Sequence, residues 1–517
     1  MNHVPVLIAG GGPVGMTLAR TLAALGIRCQ LVERNASTTR HPKMDITNGR
    51  SMELFRRLGL ADRLRAAAVP EENCFDVSWI TSLARDRGGR ELHRFRYPCV
   101  AEKRAEILAC NDGTQAREPA MRVSQVKIEP VLQAAIVGDP RVDARWGVAL
   151  EDFTQDADGV TATLRTVETG ETGETEQVRC DFLAGCDGGS SIVRDRLGIG
   201  LEGRAAVAHR YMIHFRSDAR DLLQAFGIAW HYQTARGTLI AQDDRDTWTL
   251  QTRPPPGTDV DRLDPHAVLD AWAGRPFERE VLVDNPWFTH LLLAERYAGG
   301  RVFLAGDAAH QYIPTGGYGM NTGIADAVDL GWKLAATLRG FAGPGLLRSY
   351  EADRRPVGLR NRQASERHTD VRIRIGELYE RIADPQALGR EIAALGNAEN
   401  ESWGIELGYR YDGVEGDPVR YEPTTAPGAR LPSTFLRDGS ALYDRLGPWF
   451  TLLVFGGADP SPLIDAAPAP LDTVIVDDPA VAPFYEARLV LVRPDTHVAW
   501  RGNGCADGRA VWRAVLQ

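Results

Sequence analysis

The chain opens with VPVLIA at residues 4–9, a short apolar run followed by glycines, which predicts a buried strand. MTLARTLAALG then repeats its apolar positions at helical spacing and closes at Gly26, which predicts a helix. IRCQLVE returns to a strand that ends at Glu33. Strand, helix and strand in this order form a βαβ unit, the start of a parallel sheet. Between about 145 and 188 the pattern changes to short strands and turns: GVTATLRTVE, then TGETGETEQ, then VRCDFLAGCDG. The repeated TGE predicts a polar hairpin tip. From about 205 to 290, alternating segments such as RYMIHF and TWTLQTRPPPG predict an antiparallel sheet. RVFLAGDAAH at 301–310 is again a buried strand followed by a loop, and residues 323–382 are rich in helix pattern. Beyond about 424, TTAPGARLP has the composition of a linker. WFTLLVFGG, DTVIVDD and ARLVLVRPD then predict the strands of a compact third α/β unit.

A length of 517 residues exceeds one simple core and implies two or three domains. Hydrophobic residues at 44% and charged residues at 25% are ordinary for a globular protein. A net charge of −9 argues against nucleic acid as the main partner, because phosphate binding needs a basic surface. No apolar run is long enough to span a bilayer, and VLIAGGGPVGMTLARTLAALG is broken by Gly, Pro and Arg, so no membrane role is expected. The N-terminus lacks the basic region and cleavage site of a secretory signal. Seven scattered cysteines form no CxxC pair. That predicts reduced thiols in the cytoplasm, with neither a disulfide framework nor a metal site.

Chemistry concentrates in three stretches. Gly10-x-Gly12-x-x-Gly15 follows the first strand and opens the first helix. Its glycines permit a tight turn, a close pyrophosphate approach and helix-on-strand packing, while the helix N-terminus favours an anion. Glu33 lies eighteen residues after Gly15, where a carboxylate bridges ribose hydroxyls, with Arg34 beside it. These features predict a dinucleotide site without distinguishing FAD from NAD. The stretch CDFLAGCDGGSSIVRDRLG contains Asp187. The stretch RVFLAGDAAHQYIPTGGYGMNTGIADAVDLGWKLA contains Asp307, suited to a ribityl hydroxyl. It continues into the loop of Pro314, Gly317, Gly319, Met320 and Asn321, whose N–H groups suit a flavin edge where negative charge develops. Each stretch alone is also consistent with an ordinary turn after a strand.

Together, in this order and spacing, the three motifs resemble those of the single-component FAD-dependent aromatic hydroxylases, the class A flavoprotein monooxygenases. The resemblance covers essentially the whole chain. It implies an α/β fold: a Rossmann-type FAD-binding domain, an antiparallel-sheet substrate domain, and a C-terminal thioredoxin-like domain lacking redox cysteines. The implied boundaries are 1–75, 100–200 and 290–385 for FAD binding, 76–99 and 201–289 for substrate, and 424–517 for the C-terminal domain. It further implies that bound FAD is reduced by NAD(P)H, NADPH being the expected donor, and reacts with O₂ to form a C4a-hydroperoxide that hydroxylates a phenolic ring. No second GxGxxG follows a strand, in keeping with the absence of a separate NAD(P)H domain. A Baeyer–Villiger or epoxidising enzyme acting on an aromatic polyketide is the near alternative, and a catalytically inactive FAD-binding protein the distant one. A flavin halogenase is disfavoured because no WxWxIP stretch occurs. A homodimer is compatible with the sequence.

Within this frame, Asp45 stands out in HPKMDITNGRSMELFRRLG, before a turn-like Asn48-Gly49. It lies five residues before Arg50, the spacing at which phenol-hydroxylating relatives carry a titratable residue before a flavin-contacting arginine. The expected role is a base against the substrate hydroxyl, with partial burial raising its pKa; a loop acid capping local N–H groups is the alternative. By the same resemblance, Arg50, Arg122 and Gln125 are expected near the flavin. Tyr211, Trp230, His231 and Gln251 are substrate-contact candidates from strand alternation, with Pro314 on the wall beside the ring. His310 is expected to be a packed structural histidine.

Overall fold

The computed structural model describes residues 2–167, 173–243, 245–255 and 257–517. Residues 168–172, which carry part of the expected TGE hairpin tip, lie outside the described residues.

The first sheet is built on the N-terminal βαβ unit. Val302–Leu304, Thr175–Gly185, Asn2–Ala9, Cys29–Glu33 and Val142–Trp146 run parallel in that order. The central strands are apolar on both faces, as a sheet covered by helices on either side requires. Helix Pro13–Ala24 covers one face and packs on helix Tyr318–Leu338, so the two glycine-rich loops that precede these helices open at the same end of the sheet.

The second sheet holds Glu280–Ala294, Leu201–Arg216, Thr247–Thr252, Gly237–Ala241 and His231–Thr234 as antiparallel neighbours. It continues through Val77–Ile80 and Glu91–Phe95. The sheet is not purely antiparallel: Val77–Ile80 lies parallel to His231–Thr234, because the chain reaches this edge by a crossover from the first sheet. Helix Pro344–Arg381, 38 residues long, runs beside both sheets.

In the C-terminal unit the predicted strands appear as Phe450–Phe455, Leu471–Val476 and Leu489–Val492, joined by a fourth, Val498–Gly502. The stretch predicted as a linker is not a free tether. Its Arg430 is buried and donates from Nε to Glu53 Oε2 at 3.0 Å, and its Thr425 donates to the Tyr485 carbonyl at 2.6 Å. A buried arginine needs a buried acid, and that pairing welds the segment to helix Gly49–Arg57.

Candidate active site

The residue before that helix, Asn48, caps it rather than making a turn: its side-chain oxygen accepts from Ser51 N at 2.8 Å. Just upstream, Ile46–Thr47 pairs antiparallel with Met121–Arg122. The amides of Val123 and Gln125 donate to the carbonyls of Asp45 and Met44 at 3.0 and 3.1 Å. Asn321 clamps the same segment from the other side. Its amide donates to the carbonyls of Ile46 and Gly317 at 3.2 and 2.7 Å and its oxygen accepts from Asn48 N at 3.1 Å. Asp45 is thereby fixed against the glycine-rich loop. Asn321, expected to hold cofactor, spends its side chain on this clamp.

Asp45 borders a cavity of about 270 Å³ enclosed by the second sheet, the 314–318 loop and residues 399–406. Asp45 Oδ2 accepts from Trp230 Nε1 at 2.8 Å and lies 3.1 Å from His231 Nε2, the two rings being stacked at 3.9 Å. Its side chain keeps 19% exposure, and no protein group bonds Oδ1 among the described residues. Burial alone would raise this carboxyl. The hydrogen bonds from His231 and Trp230 and the charges of His231 and Arg122 outweigh it, so Asp45 sits below the usual carboxylate range. The expected upward shift is thus reversed by its donors.

Of the substrate candidates, Trp230, His231, Gln251 and Pro314 line the cavity. Tyr211 does not. It is 1% exposed, packs in the core on the far side of the sheet, and donates to Asp284 at 2.5 Å, because strand alternation turns it away. Sequence reasoning passed over Trp79, Trp287, Trp403, Arg210, Arg253 and Arg372, which also line the cavity. The two arginines on the second sheet had a weak signal in alternation. Trp403 and the neighbouring Glu399 and Glu406 had none, since only long-range packing brings 399–406 here. Burial pushes Glu406 up to about 7.

The cofactor candidates divide. A Cβ on Gly10, at φ +110°, would lie 2.2 Å from the Cys186 carbonyl oxygen, and one on Gly15 2.0 Å from that of Gly10, so the protein itself requires both glycines. Gly12 differs. Its φ of −75° suits any residue, and a Cβ there would meet nothing within 4 Å. The protein leaves the space over this backbone open, and a ligand lying against it would fill that space; Gly12 thus passes the fit test for a pyrophosphate at this helix N-terminus. Asp307 is exposed, with no protein hydrogen bond among the described residues. The turn beneath it is held by the buried Asp326, which accepts from Gly306 N, His310 and Arg354 at 3.2, 2.7 and 2.8 Å. His310 is therefore structural. Gly319 opens the adjacent helix, its Cβ direction meeting Asp307 Oδ1 at 3.9 Å; Met320 follows in the same turn. Gly317, at φ +67°, is the left-handed residue that starts this helix. These residues fit FAD.

Glu33 accepts from Gly11 N at 2.7 Å and from Asn35 N at 2.9 Å, so it braces the glycine loop, while Arg34 is exposed beside it. Asp187 accepts from Ser191 Oγ at 2.5 Å and Val193 N at 3.2 Å, organising the start of Ile192–Arg196. Three expectations need correction. All three guanidinium nitrogens of Arg50 are engaged, with Tyr409, Glu53, Thr496 and the Asp495 carbonyl, in a buried junction away from the cavity. Arg122 lies on a strand rather than a helix and donates to the carbonyls of Cys74 and Ala241 at 2.9 and 2.8 Å. Gln125 turns its side chain to Glu129 at 2.7 Å. Arg122 and Gln125 hold the Asp45 segment through their strand pairing and backbone instead.

Comparison with known proteins agrees with this geometry. Residues 3–365 match the FAD binding domain family, and residues 424–517 match the aromatic-ring hydroxylase C-terminal family. The chain is 36% identical to the FAD-dependent monooxygenase apdD of Emericella nidulans, over 100% of this chain and 90% of that protein. It is 32% identical to aklavinone 12-hydroxylase RdmE of Streptomyces purpurascens, over 100% and 98%. The flavin-dependent monooxygenase PieE, solved in complex with FAD and substrate, superposes with a TM-score of 0.88 at 30% identity, over 99% of this chain and 98% of that one. With a glycine cradle open to a ligand, an aromatic-walled cavity and a match from end to end, the chain belongs to the FAD-dependent aromatic-ring monooxygenases, enzymes that use NAD(P)H to hydroxylate aromatic substrates.

Proposed function

We propose that the cavity hydroxylates a phenolic ring of a fused-ring, polyketide-like aromatic, with Asp45 as the hydrogen-bond acceptor for the substrate hydroxyl. FAD bound here and reduced by NAD(P)H would supply the oxygen-activating chemistry, by which one atom of O₂ reaches the ring and the other leaves as water. The protein's own groups do the rest. The cradle of Gly10, Gly12 and Gly15 with Glu33 and Asp307 binds the cofactor, and the 314–320 loop presents N–H groups to its ring. Trp79, Trp230, Trp287 and Trp403 put indole surface on the cavity wall for an aromatic substrate to pack against and exclude water.

The observation that carries the reading is the Asp45 carboxylate, held at Oδ2 by Trp230 and His231, with Oδ1 bonded by no protein group among the described residues. A phenol near 10 and an ordinary aspartate near 4 differ by roughly six pKa units, about 8 kcal/mol, and the depression of Asp45 widens that gap. Complete transfer of an ordinary phenol's proton to Asp45 before reaction is therefore unfavourable. What remains is a strong, charge-assisted hydrogen bond that draws the proton as the ring is attacked.

Aklavinone, named for a relative, supports a polyketide-sized substrate. We further assign the chain three units with the boundaries given above. The C-terminal sheet order supports a thioredoxin-like fold: two parallel strands around a short helix, then an antiparallel hairpin. The seven free thiols fit a reducing cytoplasm, and no helix among the described residues is long and apolar enough to cross a membrane. NADPH is the proposed donor.

The test is NADPH oxidation by the FAD-loaded protein with phenols and fused-ring phenols, quantifying hydrogen peroxide, in wild type and Asp45→Ala. Phenol-dependent oxidation with little peroxide is expected in wild type. Asp45→Ala should keep its FAD and lose about 100-fold or more in hydroxylated product. Wild-type product formation by the variant would sink the assignment.

A further inference from the structure

Tyr211 pairs with Thr252 across two antiparallel strands. Arg210 precedes Tyr211 and Arg253 follows Thr252, just past the end of its strand; both line the cavity, close enough for the Arg253 charge to act on Arg210. Like charges brought this close repel each other. The chain has 69 acidic residues and sets several of its enclosed arginines against them: Arg354 with Asp326, Arg430 with Glu53, Arg493 with Asp329. Neither Arg210 nor Arg253 has a side-chain hydrogen bond or ion pair among the described residues. Arg372, the third arginine at this wall, is neutralised by Glu399 through Nε at 2.9 Å and Nη2 at 2.5 Å. Glu399 is therefore not free for the other two. Burial, then the charges of Arg253 and Arg372, push Arg210 down to about 9. A protein of net charge −9 thus keeps two partnerless guanidiniums on the wall of its aromatic cavity.

We propose that Arg210 and Arg253 form an anion anchor that recognises the carboxylate of an extended aromatic acid, so that the substrate carries an acid at one end and its reacting phenol at the other. Two guanidiniums present parallel N–H donors that match a carboxylate, and an anion between them relieves their repulsion. The sheet sets the scale. The strands bearing His231 and Arg210 are three strand spacings apart, about 14 Å. Even with the reach of an arginine side chain, that separation favours a fused-ring acid over a single ring. The proposal rests on the reading of this cavity as the hydroxylation site.

The experiment is a binding titration of the oxidised FAD enzyme without NADPH, followed by flavin absorbance and tryptophan fluorescence. The probes are 6-hydroxy-2-naphthoate and 6-hydroxy-2-naphthamide, which share size and hydroxyl and differ in charge. The wild type should bind the acid at least ten-fold more tightly than the amide, and added NaCl should narrow that ratio. Arg210→Gln/Arg253→Gln should bind both equally, with amide affinity and FAD content unchanged. No preference for the acid in wild type, or a preference surviving in the double variant, overturns the anchor. Should the double variant fail to fold, Arg253→Gln alone carries the test: a several-fold narrowing supports the anchor and an unchanged ratio rejects it. Catalysis is read separately. Intact acid preference without hydroxylation overturns the Asp45 reading alone, and hydroxylation without acid preference overturns the anchor alone.

Discussion

Asp45 shows how far a side chain's chemistry depends on its donors. A carboxylate in an aromatic wall would rise in pKa by desolvation, but two ring N–H groups and a nearby guanidinium invert the sign. Its folded pKa lies below its ordinary value, so the ionised form persists as pH falls through the ordinary aspartate range and is lost only below it. We therefore expect no acid limb in kcat/KM from Asp45 between pH 5 and pH 7, and a profile over this range will check it. Exchanging the indole N–H for a non-donor in Trp230→Phe removes one lowering contact. It should move the onset of any acid limb to higher pH while leaving FAD binding unchanged.

At the scale of elements, the first glycine loop separates what the fold needs from what the ligand needs. Gly10→Ala would drive a Cβ into the Cys186 backbone at a positive φ, and we expect loss of both stability and flavin. Gly12→Ala meets open space in an ordinary conformation. Its thermal midpoint measured after flavin removal should match that of wild type, while FAD affinity falls about ten-fold or more. Flavin-to-protein ratios after dialysis will distinguish the two variants, and normal FAD retention by Gly12→Ala would contradict the pyrophosphate assignment. The second glycine-rich loop works differently. Its helix, Tyr318–Leu338, is tied to the Asp45 segment by Asn321, so cofactor loop and substrate acid move as one piece.

Across the whole molecule, the C-terminal unit acts as a brace. Asp329, on the helix that begins at the flavin loop, accepts from Arg493 at 2.6 Å, and Glu53, on the helix after Asp45, pairs with Arg430. Both ends of the active site are thus pinned from behind by buried ion pairs. Removing one partner strands a buried charge, so Arg430→Met should cost about 3–5 kcal/mol. Glu53→Gln in that background should recover part of the loss, both read by thermal denaturation. Burial would raise Glu53, but Arg430 and Arg50 hold it below its ordinary 4.5. The stabilisation it supplies is complete above that value and is lost as pH falls through the depressed one. The junction should therefore loosen in acid and not in base.

Local periodicity by itself determined the βαβ start, the alternating strands near 205–290 and the C-terminal strands, because each rests on contacts between neighbours in sequence. Glycine spacing marked the strand-to-helix turn, because Gly10 and Gly15 sit where close backbone approach leaves no room for a Cβ. The spacing from Asp45 to Arg50 led to a residue on the cavity wall, yet it misassigned Arg50. One guanidinium serves a flavin or a buried glutamate equally well in sequence, and only the fold put Glu53, Tyr409 and Asp495 around it. The direction of the Asp45 shift, the turn of Tyr211 away from the cavity into the core, the buried pairing of the supposed linker and the two arginines on the cavity wall were likewise decided by tertiary structure. Each depends on which groups from distant segments share a few ångströms of low-dielectric space, and no local pattern in the chain encodes that.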